Sequence, residues 1–479
     1  MSTIASSRVT GISQALIVLA AGFGLAFLAA RSSPLFLLAA VLGVMFLFFF
    51  IRRPDLGLLT VLVVRASSDV VVLLLATGDP TSLGGLRGLI MNPNTALILI
   101  LIGAGILTIL ARPLPIMSLP GGVLLVVLAV TGLVGIIRSD RLLFSFQEWV
   151  PMLAAPVTYA LAAGTLADPA KRLWVPKALA ASFMLPALVG YLQLWTGGGR
   201  FITGFVRIFG TFVHPNPFGL YLVIILAVFV PLAFLRSRTG VVARIIAAAA
   251  SPLLVATLAR FAWAGAMIVL VSIGFLRHRI LLLLIPLVGF MALIPTVQMR
   301  LEDPLSGSFA DRLNLWRNIY EQWTVEVGRD GTTASAVVSI LGGLGPGGAS
   351  LLGEQFGRGT FAAHNDYIRL LVEYGAVGLI VYVAVTLTMI RLAYQAFRAS
   401  RDRPSGTIAL SFLALAIAYP IMSLTSNIVA ATYNQLYFWT LAGLCVSLRA
   451  EAQETQRAVP SAEAVSPVWQ SRLPAARRR

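Results

Sequence analysis

Pro217-Phe-Gly-Leu-Tyr-Leu-Val-Ile-Ile-Leu-Ala-Val-Phe-Val-Pro-Leu-Ala-Phe-Leu235 carries no charged side chain. Its length and apolarity match the roughly 20 residues an α-helix needs to cross bilayer hydrocarbon. A helix is the form such a run must take there, because it satisfies its own backbone donors and acceptors where no water can. The same pattern recurs on both sides of this stretch. Spans are expected near 11–30, 34–51, 57–76, 94–111, 120–137, 149–167, 175–195, 217–235, 242–259, 261–276, 280–297, 375–393, 407–424 and 433–448. The predicted fold is therefore all-α, a polytopic membrane helix bundle of about 12–14 transmembrane helices.

Composition agrees. Of 479 residues, 58% are hydrophobic and 11% charged, with a mean hydropathy of +0.89. Soluble domains carry about 25% charged residues. The first apolar run, Ile12 to Ala30, has no small-x-small site after it, so it reads as a first membrane helix and not as a cleaved leader. The lone Cys445 excludes a disulfide framework and a cysteine metal site. The formal charge of +17 does not point to nucleic acid, because the basic residues are scattered between apolar runs. A cytoplasmic excess of basic loops and an anionic substrate explain it better.

With the N-terminus in the cytoplasm and strict alternation, every cytoplasmic loop is basic, and both termini are cytoplasmic. Residues 1–297 then hold helices 1–11. Residues 298–374 form one long extracytoplasmic helical loop, 375–448 the C-terminal membrane helices, and 449–479 a disordered basic tail. The basic residues left on the outer side or within spans are all arginines, including Arg65, Arg138, Arg200, Arg207, Arg260, Arg300 and Arg312. The chain has only two lysines, so position is the informative feature, not residue type. An arginine fork suits a bidentate grip on phosphate or carboxylate.

The long loop opens on Ser308-Phe-Ala-Asp311, a capping box. The helix that follows carries Leu313, Trp316, Tyr320 and Trp323 on one stripe, which suits either the headgroup layer or packing against the membrane domain. Gly342-Gly-Leu-Gly-Pro-Gly-Gly348 lacks a phosphate-loop ending and reads as a hinge in preference to an anion-binding turn.

Three histidines in separate segments, without an HExxH pattern, give no metal site. His278 belongs to a basic loop, and His214 is a loop or cap residue that could add a polar contact. His364, in Ala363-His-Asn-Asp-Tyr367, lies where the long loop meets the next apolar run and can titrate near neutral pH. Arg369 can pair with Asp366 or Glu373 along a surface helix. Arg260 interrupts an apolar stretch, where a charge defaults to function. Alternation puts Arg207, Arg260 and His364 on one side of the membrane.

Four stretches, in order, carry a family resemblance: Arg207-Ile-Phe-Gly-Thr-Phe-x-x-Pro-Asn-Pro-Phe-Gly219, Leu258-Ala-Arg-Phe-Ala-Trp-Ala-Gly265, Asp311-Arg-Leu-Asn-Leu-Trp316, and Gly345-Pro-Gly-Gly348 leading to His364-Asn-Asp-Tyr367 and Glu373-Tyr-Gly-Ala-Val-Gly-Leu379. Together they resemble the O-antigen ligase and polymerase superfamily of bacterial envelope glycan assembly. Ala259 departs from the serine common before the arginine in that family. The resemblance implies a GT-C-like fold in the bacterial inner membrane, with the site facing the periplasm. It implies a metal-independent, inverting glycosyltransferase with no cofactor. Its partners would be a polyprenyl-diphosphate-linked glycan donor, a glycan or glycolipid acceptor and the bilayer. Arg207 and Arg260 match the diphosphate-contacting arginines and His364 the essential loop histidine. Arg312, His214, Asn365, Asp366 and Tyr367 are secondary candidates. Ligase and polymerase share these motifs. The competing reading is a lipid-linked glycan flippase or transporter, which would predict an internal repeat.

Overall fold

The computed structural model describes residues 34–70, 93–111, 116–139, 141–202, 204–284, 293–302, 309–329, 331–354 and 363–458. The expected first span and the capping serine Ser308 lie outside these residues.

About 82% of the described residues are helical, and they form an all-α bundle. In order the helices are α1 (Pro34–Arg52), α2 (Pro54–Arg65), α3 (Pro93–Ala111), α4 (Gly122–Ile137), α5 (Leu142–Thr165), α6 (Pro169–Arg172), α7 (Trp174–Thr196), α8 (Pro215–Ala233), α9 (Arg238–Ala256) and α10 (Arg260–Leu276). Then come α11 (Pro295–Glu302), α12 (Phe309–Gly328), α13 (Thr333–Gly342), α14 (Gly348–Glu354), α15 (Asp366–Ser400), α16 (Gly406–Ser423) and α17 (Thr432–Ala458). Five stretches among the described residues are long and apolar enough to cross a membrane: Pro169–Thr196, α8, α9, α15 and α16. Shorter apolar helices, α4 and α10 among them, accompany these.

Helix α8, the stretch that decided the reading, is apolar all round and sits at the centre with α16. A helix without a polar face must be covered on every side, by protein or by lipid. The outer helices expose apolar side chains, such as Val130, Leu133, Val134 and Ile137 on α4. Apolar residues both inside and outside are what a membrane bundle requires, and the chain is a helical membrane protein.

Several boundaries differ from expectation. The span expected at 57–76 breaks at Arg65, whose guanidinium turns inward to Asp69, Ser68 and Thr432. The span expected at 280–297 begins as a 3₁₀ turn, Arg279–Leu283, and its far end belongs to α11. Helix α15 starts inside the expected loop, at Asp366, and kinks at Gly375. The tail expected to be disordered from residue 449 begins as the end of α17, which runs to Ala458.

The chain also holds a two-stranded hairpin, β1 (Arg200–Ile202) and β2 (Phe205–Arg207), which an all-α reading does not contain. Gly197, at φ 67°, ends α7 in the left-handed conformation, and Gly204, at φ 84°, supplies the turn. Between them Phe201, Ile202, Phe205 and Val206 favour extended backbone. The register pairs Arg200 with Arg207.

Candidate functional site

The break between α9 and α10 organises the site. Leu258 there adopts φ 50°, a left-handed conformation that bulky residues rarely take. That twist frees the carbonyls of Thr257 and Leu258 from the helical path. Arg207 Nε donates to the Thr257 carbonyl at 2.8 Å, and Arg300 Nε to the Leu258 carbonyl at 3.3 Å. Arg260, the first residue of α10, donates from Nη1 to the Arg300 carbonyl at 3.5 Å. Arg207 Nη2 also donates to Asn216 Oδ1 at 2.8 Å. One short turn thus gathers guanidinium groups from β2, α10 and α11.

Arg312 on α12 joins from the other side, donating to the Thr425 carbonyl at 2.6 Å. Burial, with help from the charges of Arg300 and Arg260, holds the Arg207 pKa down to about 10. Arg312 is lowered by burial and then by Arg260 and Arg300. Like charges brought this close repel, and an anion bound among them would relieve that repulsion.

The loop bearing His214 is held by local chemistry. Gln193 Oε1 accepts from the amides of Phe209 and Gly210, Thr211 donates to the Ala66 carbonyl, and Asp69 Oδ2 accepts from the Val213 amide. His214 caps α8, its Nδ1 accepting from the Asn216 amide at 3.1 Å. Burial, then Arg207, Arg200 and His364, lower its pKa to about 4. The neutral ring with Nδ1 accepting carries its proton on Nε2, a donor.

His364 sits at φ 49°. Histidine tolerates this region better than most residues, but it still requires its surroundings to hold it. They do so on both flanks. Trp316 Nε1 donates to the Ala363 carbonyl at 2.8 Å, and Asn365 Oδ1 caps α15 through the amides of Tyr367 and Ile368. Asp366 Oδ2 accepts from the Ile428 and Val429 amides, and Tyr367 Oη donates to the Pro420 carbonyl. Asn365 is thus occupied in starting α15, Asp366 in fastening it to the α16–α17 connection and Tyr367 in fastening it to α16. Among the described residues the His364 imidazole has no hydrogen-bond partner of its own. Burial, then the cation of Arg312, lowers its pKa to about 4, so it is neutral at physiological pH.

The predicted candidates Arg207, Arg260, Arg312, His214 and His364 therefore converge through a chain of mutual electrostatic influence. Arg300 and Arg200 join them. Sequence reading leaves both as outward arginines without a role, and only the α11 turn and the hairpin register bring them in. Among the described residues no three of His, Cys, Asp and Glu come together as metal ligands.

Three neighbouring readings become specific in the structure. The glycine turn does not offer its first amides to an anion, since Leu344 and Gly345 donate to the carbonyls of Val372 and Glu373 at 2.8 and 3.0 Å. The aromatic stripe of α12 divides: Trp323 is buried against Ala349, Leu352 and Val372, while Tyr320 faces outward. Arg369 is no surface staple. It is buried and binds Glu373 at 3.0 Å and Glu148 of α5 at 2.7 Å, tying the arm that follows His364 to the bundle. His278, on the basic loop, stacks flat on Phe234 at 3.9 Å. The chain matches no protein-family model, and no curated protein matches it.

Proposed function

We propose that the chain is a membrane glycosyltransferase of the O-antigen ligase or polymerase type. It would transfer a glycan from a polyprenyl diphosphate carrier to a sugar hydroxyl at the outer face of the bacterial inner membrane. The observation that carries this reading is a neutral histidine within the electrostatic reach of Arg312, which is itself within that of Arg260 and Arg300. In it the acceptor oxygen attacks the anomeric carbon and the bond from that carbon to the diphosphate oxygen breaks. The acceptor proton passes to His364, and attack opposite the leaving group inverts the centre. Positioned bases of this kind contribute roughly 10²–10⁴ in rate. Arg207, Arg260 and Arg300 stabilise the charge that grows on the departing diphosphate, and preorganised cations in a dry site need no reorganisation to do so. The GT-C-like architecture, the periplasmic placement of residues 298–374 and the cytoplasmic termini belong to this reading.

Reconstitution with a polyprenyl-diphosphate oligosaccharide and a glycolipid acceptor, with EDTA present, tests it. Transfer is expected, and His364→Ala is expected to lower it by about 10²–10⁴. Full activity of His364→Ala would sink the base assignment, and a strict metal requirement would sink the arginine account.

A pH profile tests the arginine beside the base. His364 has a lowered pKa, so its working neutral form persists as pH falls through 6.5 and is lost only near 4. Removing the Arg312 cation removes one cause of that lowering. Arg312→Gln is expected to move the acid limb of kcat/KM upward, toward but not reaching 6.5, because burial remains. An unmoved or downward-shifted limb would contradict the pairing.

A further inference from the structure

Helix α13 is built inside out. Ser339 is its one fully buried residue, at 4% exposure, while Val337, Val338, Ile340 and Leu341 are 42–50% exposed. These four cover one broad face of the helix, opposite Ser339. A helix packed on a protein in water hides such a face and shows its serine. Here the serine faces the protein, where its hydroxyl accepts from Arg138 Nη2 at 3.1 Å. Arg138 Nη1 also donates to the Gly343 carbonyl at 3.1 Å, so both ends of the contact are polar and on the protein side.

Arg138 follows the last turn of α4. That turn exposes Leu133, Val134 and Ile137, the last at 75%. The apolar face of α13 therefore continues the outward apolar surface of an apolar bundle helix past its end. Ten residues at about 1.5 Å each give a helix of about 15 Å, half of the roughly 30 Å hydrocarbon core. It is too short to span the bilayer, and its polar contact with α4 is at the end of that helix, not the middle.

We propose that α13 is a membrane-inserted helix lying at the shallow edge of one leaflet, with Val337, Val338, Ile340 and Leu341 among the lipid chains and Ser339 turned to Arg138. The proposal rests on the membrane reading of the chain and not on glycosyl transfer. Its consequence is positional. The turn leaving α13 is hydrogen-bonded to the arm of α15 through Leu344 and Gly345, and that arm begins two residues after His364. The leaflet thus sets the height of this histidine together with the protein, which suits a reaction partner that is itself anchored in lipid.

The test uses the full chain in phosphatidylcholine–phosphatidylglycerol nanodiscs, with Cys445 replaced by serine and a fluorophore on a single new cysteine. Positions 338 and 341 are compared with 137, on α4, and with 332, at the exposed cap of α13. Labels at 338 and 341 are expected to be quenched by lipids doxylated near the headgroup, more than by lipids doxylated near the chain end. They are also expected to be shielded from aqueous iodide, as the label at 137 is. Iodide quenching equal to that at 332 would overturn the proposal. Protection from both quenchers would mean that protein covers the apolar face, and would overturn it equally. The readout does not involve transfer, so it fails or stands separately from the proposed activity.

Discussion

Replacing Arg207 with methionine is expected to lower kcat/KM for transfer by about 10²–10³, the cost typical of losing one preorganised charge stabiliser, while leaving the melting temperature unchanged or raised. The two halves of this expectation come from different terms. Arg207 is 3% exposed, and the groups it binds are a backbone carbonyl and an amide oxygen. Its charged neighbours in the cluster, Arg260 and Arg300, repel it. Leaving two acceptors unpaired costs about 1–3 kcal/mol each. Holding a buried cation costs several kcal/mol, and repulsion adds to that. The sum favours methionine in the empty protein. With a diphosphate bound the sign reverses, because the cation then has its partner. Lysine should restore little, since a point charge cannot bond Thr257 and Asn216 at once. Thermal unfolding and transfer rates measured on the same preparations decide the matter. Wild-type transfer by the methionine variant, or a loss of transfer that merely follows a loss of fold, would remove Arg207 from the site.

Gly375→Ala is expected to displace the loop that carries the histidine and to abolish transfer through misfolding of that region. Gly375 has φ 67° and ψ −171°, a conformation essentially restricted to glycine. A Cβ there would overlap the Leu341 carbonyl, and one on Gly343 would overlap the Glu373 carbonyl. The two glycines let the backbone of the 342–348 turn lie directly on the kink in α15. Strain of this type costs about 1–3 kcal/mol before any overlap is counted. The overlap is with backbone, which cannot rotate away, so the turn must separate from the arm. Gly103 is the matched control. Nothing lies within 4 Å of its missing Cβ, and alanine in such a helical position stabilises by about 0.4–1 kcal/mol. A Gly375→Ala protein with wild-type melting temperature and transfer would show that the close approach of turn and arm is dispensable.

Much of the architecture was legible in the chain. The apolar runs located α8, α9, α10 and α16 closely, because partition into hydrocarbon is additive along a segment and owes little to distant residues. The hairpin was not legible: glycines flanking a handful of aromatic and β-branched residues also fit an ordinary loop. The early end of α2 was hidden for another reason. Arg65 is drawn inward by Thr432, hundreds of positions away, and no local pattern announces such a partner.

The candidate site divides in the same way. Alternating topology and position singled out Arg207, Arg260 and His364 as residues of one side. It could not tell that Asp366 is consumed as a fastener, because its partners at 428 and 429 meet it only once the helices have packed. Nor could it enlist Arg300, whose place depends on the left-handed twist at Leu258. Local composition along the chain suffices for a helical membrane protein with cations set apart from its basic loops, since transfer to lipid is a local, additive property of side chains. Which of those cations meet on one turn follows from packing alone, since charge and hydrogen-bond chemistry act over a few ångströms in space at any separation along the chain.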